Sequence, residues 1–201
     1  VEEFGAKGGI NRTPIPLALQ STATATLLSY PGKVLADDAG GRLFIADSGH
    51  NRILVADLGG RLQTAIGSGI EGFADGAANE ATFRQPQGLA LSPDGKTLYV
   101  ADTRNHAVRK VDLGTNEVTT IAGTGKQLDK LPGAASNAKE TALASPWDLV
   151  QAGDTLFIAM AGVHQIWAMN VTGGTISSFA GTSREGIADG DRKTQATLAQ
   201  P

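Results

Sequence analysis

The sequence predicts an all-β fold assembled from repeated four-stranded units, and three observations carry that prediction. The stretch LFIADSGHNRILVADL at 43–58 recurs as LYVADTRNHAVRKVDL at 98–113 and, more loosely, as LFIAMAGVHQIWAMNV at 156–171. Other landmarks keep the same phase: Pro31, Pro86, Pro146 and Pro201 follow one another at intervals of 55, 60 and 55 residues. Phe83, Leu143 and Leu198 stand three residues before the last three prolines, and TAIGSG, TTIAGTG and SSFAGT begin at Thr64, Thr119 and Ser177. Finally, each repeat holds four short strand-like runs with turn residues between them. Four strands at a period near 55 residues is the pattern of a β-propeller blade.

The first repeat shows the logic of each run. The run 32–36 follows the proline and is expected to be the innermost strand. The run 42–46 is apolar at the consecutive positions Leu43, Phe44, Ile45 and Ala46, as a strand covered on both faces must be. The third run spans 52–57. Gly59 and Gly60 turn the chain into the fourth run, 62–66, and Gly114 and the pair Gly173, Gly174 do so in the later repeats. The fourth run alternates with Gln and Thr, which suits an outer, half-exposed strand. The blades therefore run 29–83, 84–143 and 144–198, with 199–201 opening another. Residues 1–28, which include the linker-like start of STATATLLSY (21–30), read as the tail of an upstream domain.

Composition narrows the function classes. Of 201 residues, 41% are hydrophobic and 18% charged, ordinary values for a globular protein of this length. The net charge of −3 gives no general pull toward nucleic acid or an anionic membrane. Without cysteine, this segment has no disulfide, thiolate metal site or catalytic thiol. That usage favours a cytoplasmic setting. No apolar run reaches membrane-spanning length. Neither GxxxxGK[ST] nor G-x-S-x-G occurs.

The recurring motifs are P-x-G followed by apolar residues (PQGLAL, 86–91), L-[FY]-[IV]-A-D, D-[ST]-x-N-H (DTRNH, 102–106) and I-A-G-x-G (121–125), together with the glycine–aspartate connector EGFADGAANEATFRQP at 71–86. In these the chain resembles the NHL-repeat family of six-bladed propellers over residues 29–201. SPWDL with IAMAGVHQIWAM resembles the subgroup in which a thioredoxin-like domain precedes the propeller. The resemblance implies a binding or scaffolding module in a multidomain protein. Three blades do not close a ring, so the simplest expectation is a fragment, with a dimer of three-blade halves as the alternative. Either case leaves open blade edges that invite self-association.

Candidate chemistry is sparse. Asp47 and His50 look like an acid–base pair, but the positions matching His50 are Asn105 and Val163, so the repeats dilute it. Asp47 and Asp102 are therefore read as structural turn residues that accept backbone hydrogen bonds. His50, His106 and His164 come one per blade, at turns away from the axis, too far apart to share one ion. A weak calcium reading attaches to Asp189 and Asp191 in ADGDRKT; otherwise no cofactor is expected. Strands two and four run the same way, so the D-x-x-[HN] turns and the long connectors share one face. Candidate binding residues on it are Arg52, Arg104, His106 and His164, with Trp147 and Asp148 at the channel mouth. A protein or peptide partner is expected, and nucleic acid is disfavoured by the acidic balance. The alternatives are a metal-dependent propeller lyase or hydrolase and a redox protein acting through the upstream domain.

Overall fold

A computed structural model describes residues 27–201. The segment 1–26, which holds most of the expected linker, lies outside the described residues. Three antiparallel sheets follow one another along the chain. The first is β1 (Val34–Asp37), β2 (Arg42–Asp47), β3 (Arg52–Asp57) and β4 (Leu62–Ile66), in that spatial order. The second is β5 (Leu89–Leu91), β6 (Thr97–Asp102), β7 (Ala107–Asp112) and β8 (Glu117–Ala122). The third is β10 (Pro146–Ala152), β11 (Thr155–Met160), β12 (Gln165–Asn170) and β13 (Thr175–Ala180). The four runs predicted for the first repeat match β1–β4 to within two residues.

The third sheet has a fifth member that the repeat pattern does not announce. The short β9 (Ser136–Asn137), from the preceding connector, pairs with Thr175 and Ile176 on the outer edge of β13. The connector before the second sheet does the same with less, pairing Gly76 with Val118 of β8. Each connector thus covers the outer edge of the sheet that follows it. Covering an edge removes a row of unpaired N–H and C=O groups.

Two apolar clusters lie between the sheets, and the middle sheet feeds both by alternation, with a register shift in β8 sending Val118 and Ala122 to opposite faces. Leu89, Leu98, Val100, Val111 and Val118 face the first sheet, where they meet Phe44, Ile53, Ile66 and Phe83. Ala90, Tyr99, Ala101, Val108 and Ala122 face the third, against Leu149, Ile158, Met160 and Trp167. This is why the second run of the middle repeat reads as continuously apolar. On the far face of the first sheet, Leu27 and Leu28 lie beside Ile45, Leu54 and Ala56, while Val34 and Leu62 there and Val150 on the third sheet are exposed.

Candidate functional site

The turn that ends strand two is built the same way three times. A single 3-10 turn follows the strand, at Ser48–His50, Thr103–Asn105 and Ala161–Val163. It closes on a left-handed residue, Asn51 (φ 51°), His106 (φ 50°) or His164 (φ 53°). Asn and His tolerate this conformation better than most side chains. Their side chains then reach forward to the start of the next repeat. Asn51 Oδ1 accepts from the Gln85 N–H at 2.9 Å, His106 Nδ1 from Ser145 N–H at 3.1 Å, and His164 Nδ1 from Gln200 N–H at 3.3 Å. The hydroxyls of Ser48 and Thr103 add a second link, donating to the Pro86 and Pro146 carbonyls. The D-[ST]-x-N-H motif is therefore a latch from each blade to the next.

The aspartate of the motif reaches backward instead. It does not cap its own turn. Asp47 accepts from Ser29 N–H at 2.7 Å, and Asp102 accepts from Arg84 N–H at 2.8 Å, so each carboxylate holds the chain as it enters its own blade. Asp47 also takes His50 Nδ1 and Arg52 Nε, both at 2.9 Å. Burial raises its pKa, but the Ser29, Arg52 and His50 hydrogen bonds outweigh that and hold it below the ordinary carboxylate range. Asp102 is fully buried with Arg109 at 2.8 Å and Asn105 at 2.8 Å. In the third sheet the carboxylate becomes Met160, and Trp167 replaces the matching Arg109. Both are buried, and Trp167 Nε1 donates to Gln165 Oε1 at 2.8 Å. An ion pair has been exchanged for an apolar pair with its one polar atom satisfied.

The imidazole latch titrates. Burial lowers the His106 pKa below its ordinary 6.5, and Arg104 and Arg84 lower it further. The unfolded chain therefore binds the proton more readily than the folded one. Stability from this group is complete above about pH 6.5 and is lost as pH falls below it through the depressed folded value. H106N should keep the latch, as Asn51 does, and flatten that part of the pH profile. H106A should cost about 1 kcal/mol. Chemical denaturation at pH 5 and pH 8 reads both; equal pH profiles for wild type and H106N would refute the assignment.

Three of the six predicted binding residues converge. The antiparallel registers Val34↔Ile45, Leu89↔Val100 and Pro146↔Met160 place the starts of the inner strands on the same face as the latch turns. A bulge in β10 skips Trp147 between Pro146 and Asp148. The extra residue is turned out of the sheet, and its side chain is 50% exposed. On one side of it lies a cavity of about 230 Å³ lined by Gly32, Lys33, Gln87, Gly88, Trp147 and Asp148. Lys33 Nζ spans it from the first sheet to the Asp148 carboxylate, at 2.7 and 2.8 Å. On the other side is a cavity of about 130 Å³ formed by Gln85, Gln87, Thr103, Arg104, Ser145 and Trp147.

The remaining predicted residues lie elsewhere on this face. Arg52 is held by Asp47 and by the Leu27 carbonyl, at 3.1 Å. His106 and His164 are engaged as latches. Sequence reasoning missed Lys33, Gln85 and Gln87. Their signal was present: each lies within two residues of a repeat proline.

Asp191 forms a tight local turn, accepting from Lys193 N–H and Thr194 N–H at 3.0 Å each and from the Thr194 hydroxyl at 2.8 Å. Those bonds hold its carboxyl below the ordinary range. Asp189 is exposed beside it. Among the described residues no three His, Asp or Glu side chains come close enough to share a metal ion.

A family model described as NHL repeat matches residues 83–111, the segment that includes the Asp102 turn and most of the second blade's inner strands. The chain is 41% identical over 210 residues to human NHL repeat-containing protein 2, covering 95% of this chain and 28% of that protein. It is 40% identical over 205 residues to the Arabidopsis thaliana protein SUPPRESSOR OF QUENCHING 1, chloroplastic, covering 98% of this chain and 19% of the relative. The chain thus spans less than a third of the length of these relatives. A Bacteroides thetaiotaomicron protein of unknown function shares the fold, with a TM-score of 0.58 at 21% identity over 73% of this chain and 34% of that one.

Proposed function

We propose, from the premise that this chain belongs to the NHL-repeat β-propellers, that it is a binding module presenting the latch-turn face to a protein or peptide. The observation that carries the reading is Trp147. A large aromatic held half-exposed by a bulge, between two cavities and on a rigid scaffold, is what a recognition surface needs. Its neighbours Gly32 and Gly88 leave room for nothing but close backbone packing, so the surface is preorganised. Selection of random peptides on the protein tests this. Enriched peptides should lose binding to W147A and keep it to D94N, on the opposite face. No enrichment, or loss only with D94N, would overturn the reading.

The parent protein, in this proposal, joins the propeller to an upstream thioredoxin-like domain. Support comes from the SPWDL and IAMAGVHQIWAM segments. The coding sequence upstream of Val1 decides it: a C-x-x-C there is expected, and a different domain would refute the proposal. Isolated as three blades, the chain is proposed to self-associate through the exposed apolar residues of its outer faces, Val34, Leu62 and Val150, which sedimentation would show.

A further inference from the structure

The two cavities beside Trp147 differ in charge. In the larger, Lys33 and Asp148 neutralise each other across the mouth. The smaller contains a cation with no carboxylate. Arg104 donates from Nε to the Gln85 amide oxygen at 3.3 Å and forms no ion pair among the described residues. Neighbouring arginines on this face are engaged: Arg52 with Asp47 at 2.9 Å and Arg84 with Glu71 at 2.7 Å. The remaining lining, Gln85, Gln87, Thr103 and Ser145, offers neutral polar groups. Arg104 and Arg84 also depress the His106 imidazole, after the effect of burial. Their joint field at this end of the groove is therefore positive.

A guanidinium with its outer nitrogens free pairs best with a planar, bidentate anion. A phosphate backbone would need several such cations along a track. Here the next cations along the face, Lys33 and Arg84, are already paired with Asp148 and Glu71, so no such track exists. A single carboxylate fits, and the exposed indole beside it takes an apolar or proline residue. We infer that the groove on either side of Trp147 binds an extended acidic peptide, with a carboxylate on Arg104 and the adjoining apolar residue across the Trp147 ring. This rests on the reading of the face as a peptide-binding surface and adds the sign and order of what is recognised.

Fluorescence anisotropy with three labelled probes tests it: Ser-Glu-Glu-Pro-Leu-Gly, the same peptide with Gln for each Glu, and the same with Lys for each Glu. The Glu probe should bind about tenfold more tightly than the Gln probe, the worth of one charge-assisted pair, and the Lys probe should bind least. R104Q should bring the Glu and Gln probes together, and R104E should reverse the order in favour of Lys. W147F should retain part of the binding that W147A loses. Thermal melts that match wild type exclude misfolding of these exposed-site variants. An unchanged probe order in R104E would overturn the inference. So would selected peptides that lack an acidic residue yet depend on Trp147, and those would leave the peptide-binding face standing. If selection enriches nothing and no probe binds, the face reading falls, and the inference falls with it.

Discussion

Replacing Arg109 by alanine is expected to destabilise the protein by about 3–5 kcal/mol. Arg109 is fully buried. Its guanidinium donates to Asp102 and the Thr82 carbonyl at 2.8 and 2.9 Å, and to Asp75 and the Ala74 carbonyl at 2.7 Å each. It lies over Phe73 and Phe83, 5.1 and 5.2 Å from their centroids. Truncation leaves a buried carboxylate without its cation, two carbonyls without donors and a void between two rings. The third sheet shows how to repair it. Met160 and Trp167 fill the matching positions, so D102M/R109W should be clearly more stable than either single variant, a coupling that a double-mutant cycle by urea denaturation measures. In the reverse direction, M160D alone should be as harmful as R109A, because no cation awaits the new carboxylate. A loss below about 1 kcal/mol for R109A, the range of surface pairs, would show that the pair is not the hub described.

The same pair has a pH consequence. Burial pushes the Asp102 carboxyl up to about 6, against the Asn105, Arg84 and Arg109 interactions that draw it down. The folded state then holds that proton more tightly than the unfolded one. This contribution is complete below the ordinary value of 3.8 and is lost as pH rises through about 6. Asp47 has the opposite sign: its carboxyl lies below the ordinary range, so its contribution is present above 3.8 and lost as pH falls through the depressed value. Two matching positions thus titrate in opposite senses because desolvation dominates at Asp102, whereas at Asp47 the Ser29, Arg52 and His50 hydrogen bonds outweigh it.

Much of the fold is legible in the sequence because propeller geometry is periodic. The proline phase gives the blade spacing, consecutive apolar residues give the doubly covered second strand, and Gly67, Gly123 and Gly181 do end the outer strands, at φ 104°, 94° and 93°. The site was legible only in part. Trp147, Asp148 and Arg104 were found from topology, since the inner-strand starts and the strand-two turns had to share a face. The outward turn of Trp147 depends on a one-residue bulge, which no local pattern marks. The latch role of Asn51, His106 and His164 was hidden for another reason: their partners lie 34, 39 and 36 residues ahead, where the chain enters the next repeat. The exchange of Asp102 and Arg109 for Met160 and Trp167 was visible in the aligned repeats. Only the buried contact explains why the two positions change together.

Gly88→Ala is expected to cost about 2 kcal/mol or more and to collapse the Trp147 groove. Gly88 begins the inner run of the second blade, where it approaches the third. A methyl group there would lie 2.5 Å from both the Trp147 carbonyl oxygen and the Asp148 Cα. Those are backbone atoms held by β10, so they cannot rotate away as a flexible side chain could. The backbone at Gly88 is not left-handed, so the expected loss is steric rather than conformational. Relief would require the third blade to tilt outward. That would separate Asp148 from Lys33 and widen the space beneath the indole. Gly133→Ala is the matched control, because it too lacks a positive φ and its methyl would meet nothing within 4 Å; it should be neutral or slightly stabilising. Urea midpoints for the two variants, read beside binding of the acidic probe, separate the possibilities. Equal midpoints would mean that the blades can part at no cost. A lower midpoint for G88A together with lost probe binding would tie the packing of the inner strands directly to the shape of the site.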